Sequence, residues 1–235
     1  MEQKLSKKTR TESDLIGSRE VPESALYGVQ TLRGIENFRI SKFHLNEYPL
    51  FIQALAITKM GAAVANRELD LLTEEQTDAI LKACKEILEG KHHDQFPVDM
   101  IQGGAGTTTN MNANEVIANR ALELMGHRRG EYQYCSPNDH VNRSQSTNDA
   151  YPTAIHIGLY YTHLKLVKHF GELIASFRKK GKEFAHIIKM GRTQLEDAVP
   201  MTLGQTFNGF ANILEQEVKN LDFAAQDFLT VNMGA

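Results

Sequence analysis

The stretch Pro152-Thr-Ala-Ile-His-Ile-Gly-Leu-Tyr-Tyr-Thr-His-Leu-Lys-Leu-Val-Lys-His-Phe-Gly-Glu-Leu-Ile-Ala-Ser-Phe-Arg-Lys-Lys-Gly-Lys-Glu-Phe184 decides the fold. Apolar residues recur at Ile155, Leu159, Leu166, Phe170, Leu173 or Ile174, Phe177 and Phe184, a helical period opened by a proline suited to a first turn. The spacing predicts one helix of about 30 residues, broken or ended near Gly181 and roughly 45 Å long at 1.5 Å per residue. A second long helix is expected from about Thr202, carrying Leu203, Phe207, Phe210, Leu214, Val218, Leu221, Ala225 and Phe228. Helices this long need more cover than one such chain supplies, which points to burial against other subunits.

Upstream the pattern breaks into shorter pieces. Leu50 to Leu69 reads as a helix with a small-residue face. Thr73-Glu-Glu-Gln76 is a capping box opening a helix that stops at Gly90, and Asn112 to Met125 reads as a third, ended by Gly126. Pro22, Gly28 and Gly34 break any long period between Gly17 and Pro49, so loops and short turns are expected there, after a loosely held polar tail over the first 14 residues. No segment alternates as a strand would. The expected fold is all-α: a small N-terminal domain of loops and short helices over 1–140, then the first long helices of a central bundle over 141–235. Val231-Asn-Met-Gly-Ala235 has no capping pattern, so the bundle is expected to be incomplete.

Composition narrows the function classes. The 235 residues are 41% hydrophobic with a net charge of −3, which excludes a generic binder of nucleic acid or anionic membrane. Cys84 and Cys135 form neither a disulfide framework nor a CxxC metal site. The charged N-terminus lacks the apolar core of a signal peptide, and no window is apolar enough to span a bilayer, so a cytoplasmic protein is expected.

Three polar segments carry the chemistry. Gln102-Gly-Gly-Ala-Gly-Thr-Thr-Thr-Asn-Met-Asn112 lacks the Gly-Lys-Ser/Thr of a phosphate loop, leaving an anion cradle at a helix N-terminus or a plain capped loop. Ser136-Pro-Asn-Asp-His-Val-Asn-Arg-Ser-Gln-Ser-Thr-Asn-Asp-Ala-Tyr-Pro152 crowds Ser144, Ser146, Thr147, Asn148 and Asp149 together. Such neutral donors suit a small carboxylate substrate; multiple capping ahead of Pro152 is the bland alternative. In Gly191-Arg-Thr-Gln-Leu-Glu-Asp-Ala-Val-Pro200, Thr193 and Gln194 can donate to a ligand, while Arg192, Glu196 and Asp197 suit structural ion pairs. His92-His93-Asp94, Arg128-Arg129, Arg178-Lys-Lys-Gly-Lys182 and the sequon Asn142-Arg-Ser144 carry no functional weight: adjacent histidines diverge, and cations complement helix ends.

Four stretches together resemble the fumarase/aspartase superfamily: residues 17–33 (Gly17-Ser-Arg-Glu-Val-Pro-Glu-Ser-Ala-Leu-Tyr-Gly-Val-Gln-Thr-Leu-Arg33), 104–112, 144–149 and 191–200. The resemblance runs from Gly17 to Ala235 and is to the N-terminal half of the aspartate ammonia-lyase branch. It implies release of ammonia from L-aspartate to give fumarate, without organic cofactor or metal. It also implies a homotetramer whose sites combine segments of three subunits, and a substrate held by Thr107, Ser146, Thr147, Asn148, Thr193 and Gln194. Relatives take the base from a serine in a Gly-Ser-Ser-x-Met-Pro-x-Lys-x-Asn loop, which this sequence lacks. No catalytic base is therefore expected among these residues, and the isolated chain is expected to be inactive. Fumarate hydratase is the nearest alternative. Against it stand Ala105 and Thr108 where fumarases read Ser and Gln, Ser136 where they have His, and Tyr27-Gly-Val-Gln for Trp-Gly-Ala-Gln; Gln194 departs from a histidine found in fumarases and in some aspartases. That departure argues against a histidine-assisted relay at this position, and aspartases with Gln there are familiar. A non-catalytic helical assembly module is the alternative of another class; it has no reason to keep the polar donors together.

Overall fold

A computed structural model describes residues 8–234, and the chain divides into two compact units, residues 1–158 with 231–235 and residues 159–230. Helices dominate both, as the periodicity predicts. In the first unit, α1 (Val29–Asn37), α2 (Pro49–Glu68), α3 (Glu74–Leu88) and α4 (Thr107–Leu124) follow a hairpin of β1 (Thr9–Asp14) and β2 (Gly17–Pro22). The core lies where α2, α3 and α4 meet, with Ile52, Leu55, Ile80, Ile87, Ile117 and Leu122 buried. Ala54, Ala83, Ala113 and Ala118 fill the narrow spaces, so that the backbones approach closely. Thr73 and Gln76 form the expected capping box on α3.

Two expectations are corrected here. The loosely held tail is β1 over residues 9–14, although residues 1–7 lie outside the described residues; the supposed loops after Gly17 contain β2 and α1. Hydrophobic alternation did not reveal this hairpin because side-chain hydrogen bonds fasten it. Arg10 donates to the carbonyls of Pro22, Ala25 and Tyr27, and Arg33 holds Asp14 through two bonds of 2.8 Å. Among its twelve residues only Glu12 and Val21 are buried.

The long helix α5 (Thr147–Glu183) starts five residues before Pro152, which therefore sits inside the second turn and leaves the Asn148 carbonyl without its helical donor. In the second unit α5 is followed by a hairpin of β3 (Ile188–Thr193) and β4 (Glu196–Thr202), then by α6 (Leu203–Ala225). The expected polar turn is thus a β-hairpin. Phe177, Phe184, Phe207 and Phe210 pack tilted or edge-to-face where α5 and α6 meet, with ring centroids 5.5–6.3 Å apart. The helices close tightly at Gly204, whose added Cβ would lie 2.4 Å from the Gly181 carbonyl oxygen. Among the described residues no helix is long and apolar enough to cross a membrane.

Candidate active site

The glycine loop brings the starts of α4 and α5 together. Gly106 has φ +84° and an added Cβ would lie 2.3 Å from the Tyr151 ring, so only glycine satisfies both backbone and space. Gln102 takes over the capping that Gly106 cannot provide: its Oε1 accepts from the Thr109 amide at 2.9 Å, while its Nε2 donates to Thr109 Oγ1 at 2.8 Å. One donor of the expected anion cradle is thereby already used.

At the start of α5, Ser146 acts as a helix cap. Its hydroxyl accepts from the Asn148 amide, and its own amide donates to Asp149 at 3.0 Å. The capping reading of Ser146 and Asp149 is therefore real, but it does not account for Thr147. The Thr147 hydroxyl oxygen instead accepts from Asn110 Nδ2 at 3.2 Å, and behind Asn110 lies a buried polar network. Lys59, fully buried, donates to Asn110 Oδ1 at 2.7 Å, Asn142 Oδ1 at 2.8 Å and Gln145 Oε1 at 2.9 Å. Asn142 Oδ1 accepts further bonds from Asn110 and Asn114, and Asn142 Nδ2 donates to the Gln145 carbonyl. Burial pulls the Lys59 ammonium down to about 7, opposed mainly by the charge of Asp149, and pushes the neighbouring Cys84 thiol up to about 12. Sequence reasoning missed Lys59, Asn110, Asn142 and Gln145. The signal that could have found them was a lone lysine in the small-residue helix α2, with Asn110 and Asn114 four apart on one face of α4.

Of the expected substrate donors in the first unit, Ser146 and Thr147 are half-buried, whereas Thr107 and Asn148 are exposed. Asn110 stands one turn beyond Thr107 in α4 and binds Thr147, so the two segments meet through it. Thr193 and Gln194 belong to the second unit, exposed at the tip of the β3–β4 hairpin. Gln194 and Leu195 take φ of 48° and 72° there, which strains non-glycine residues. Arg192 pairs with Asp197 across this hairpin, one of the ion pairs the sequence suggested.

A second buried polar centre ties α1 to α4. Glu115 accepts from the backbone amides of Gly28, Gln30 and Thr31 at 2.8–3.0 Å, a carboxylate placed on the positive end of a helix. Burial raises its carboxyl to about 7, while those amides pull the other way. Glu12 accepts from the Val29 amide and the Tyr132 hydroxyl beside it. An added Cβ on Gly28 would lie 2.5 Å from Glu12 Oε2.

An all-α chain with polar turns capping long helices matches a lyase family over residues 17–235. The chain belongs to the fumarase/aspartase superfamily of lyases. It is 54% identical over 232 residues to aspartate ammonia-lyase of Escherichia coli K12, covering 98% of this chain and 48% of that protein. Identity to the aspartate ammonia-lyase of Pseudomonas canavaninivorans is 57% over 226 residues, covering 96% of this chain and 48% of that protein. Among solved structures, fumarate lyase:delta crystallin from Brucella melitensis superimposes with a TM-score of 0.94 at 51% identity, covering 97% of this chain and 53% of that one. A class II fumarase from Schistosoma mansoni gives 0.89 at 36% identity, with coverage of 95% and 47%. The chain spans about half the length of the curated relatives it matches.

Proposed function

We propose that the whole protein is an aspartate ammonia-lyase, eliminating ammonia from L-aspartate to give fumarate. The observation that carries this reading is the 54–57% identity to aspartate ammonia-lyases over nearly the entire chain. The 36% identity to the class II fumarase makes fumarate hydratase the weaker reading.

Removing the Cβ proton of aspartate places a second negative charge on the adjacent carboxylate as an aci-carboxylate, and catalysis requires that this dianion be held more tightly than the substrate. Thr107, Ser146, Thr147, Asn148, Thr193 and Gln194 are the proposed donors, each contributing roughly 3–4 kcal/mol if it acts as an oxyanion-hole donor does. In this reading Ser146, Thr147 and Asn148 supply hydroxyl and amide donors at the N-terminus of a 37-residue helix, where the dipole favours an anion. The base that takes the Cβ proton is proposed to lie outside these 235 residues, and this chain's part is to bind and orient the carboxylates.

Self-association as a homotetramer with shared sites belongs to the same proposal. Leu159, Leu166 and Leu173 recur every seven residues along α5 and remain 45%, 43% and 42% exposed, a seam of the kind that packs against another long helix. In that assembly residues 1–140 would form the N-terminal domain and 141–235 the beginning of the central bundle, in a cytoplasmic enzyme with no organic cofactor.

The test follows fumarate by its ultraviolet absorbance, with L-aspartate and L-malate offered separately to the whole protein. Release from aspartate and none from malate is the expected result; the reverse would make the protein a hydratase. The 235-residue chain alone should release no fumarate from either.

A further inference from the structure

The Lys59 network has a direction. An ammonium group only donates, and the three protons of Lys59 are taken by the amide oxygens of Asn110, Asn142 and Gln145 at 2.7, 2.8 and 2.9 Å. With Oδ1 of Asn110 turned to Lys59, its Nδ2 must face the other way, where it meets Asn142 Oδ1 at 3.1 Å and Thr147 Oγ1 at 3.2 Å. The Asn142 oxygen accepts from Lys59, Asn110 and Asn114 and cannot donate in return. The Thr147 oxygen is therefore an acceptor toward the interior, and its single proton is left to point outward. A hydroxyl free to rotate would spend part of its time donating into the protein.

We infer that Lys59 and Asn110 are positioning residues that fix the Thr147 hydroxyl as a hydrogen-bond donor to the substrate. The inference rests on the reading of Thr147 as a substrate donor. It goes further by assigning a task to a buried cation, with three neutral carbonyl partners, that the reaction itself does not use. A charge so placed would otherwise be a costly way to tie α2 to α4 and to the turn at Asn142–Gln145.

The test is a double-mutant cycle in the whole enzyme with aspartate as substrate. Asn110→Asp keeps the shape and gives Lys59 a charged partner, but turns an acceptor oxygen to Thr147 in place of the donor, so the hydroxyl turns inward. It also removes the donor to Asn142 Oδ1, which Lys59 and Asn114 still hold. The expected result is an unchanged circular dichroism spectrum, a thermal midpoint lowered by no more than the lost Asn110–Asn142 bond accounts for, and kcat lower by about tenfold or more with a much smaller change in KM. Thr147→Ala alone should cost about a hundredfold, and adding Asn110→Asp to it should cost nothing further, because the hydroxyl being steered is gone. If Asn110→Asp fails to fold, Asn110→Ala, which frees the hydroxyl, is carried through the same cycle. A merely structural network would repeat its kcat cost in full on the Thr147→Ala background, which would overturn the inference. So would an Asn110→Asp enzyme of near-normal kcat beside a crippled Thr147→Ala. A Thr147→Ala loss below about tenfold would overturn the donor reading of Thr147 itself, and the inference with it.

Discussion

Thr147 and Glu115 show how differently a polar group can be used in one unit. Thr147 is half-buried at the start of α5 and binds one partner, Asn110. Glu115 is fully enclosed and spends both oxygens on three amides of residues 28–31. The second arrangement is structural: Glu115→Gln puts an NH2 group against amide donors on one side or the other. It should cost about 2–3 kcal/mol in urea unfolding, the scale of hydrogen bonds to a charged group. Activity lost from Glu115→Gln should therefore follow stability, whereas that of Thr147→Ala should not. Thr107, Asn148, Thr193 and Gln194 resemble surface residues when judged by exposure alone, and only their sequence context marks them.

Pairs of elements are held by a few charged contacts whose pH dependence can be followed. Glu86 in α3 receives two bonds from Arg120 in α4, at 2.6 and 2.8 Å, and contacts His92 at 2.8 Å. The Arg120 guanidinium holds the Glu86 carboxyl down to about 2. A carboxyl depressed in this way stabilises the fold above the ordinary carboxylate range and loses that contribution as the pH falls toward 2. Glu86→Gln should flatten the acid limb of a thermal midpoint–pH curve while barely changing its course above neutrality. In the second unit, the β3–β4 turn carries strain at Gln194 and Leu195. Leu195→Gly should relieve about 1 kcal/mol of it and raise the thermal midpoint. The Leu195 side chain is 98% exposed, so an unchanged midpoint would mean that the extra freedom of glycine in the unfolded chain offsets the relief.

At the scale of the whole molecule, the heptad seam Leu159–Leu166–Leu173 predicts association. Light scattering should report four copies of the whole protein, and Leu166→Asp should reduce that number while the circular dichroism of the helices persists, because a buried aspartate in such a seam would be unpaired. The proposed activity should fall with dissociation if sites are shared between subunits.

The sequence by itself determined that α2, α3, α4, α5 and α6 exist, because each buries a face with a regular period. It set the starts of α4 and α5 five residues late, at Asn112 and Pro152 instead of Thr107 and Thr147, where polar side chains and glycine open the helices. It also carried the polar signatures of the superfamily, residue types that suit the dicarboxylate chemistry proposed for the whole protein. Hairpin β1–β2 was invisible, because Arg10, Asp14 and Arg33 fasten it and their partners cannot be read from local order. Lys59 was equally silent. Its three acceptors lie 51, 83 and 86 residues away along the chain, so only tertiary packing could bring them to one ammonium group and make Asn110 face Thr147. Periodicity is a local property of the chain, whereas the direction of a buried hydrogen bond is set by partners that meet only once the core has closed.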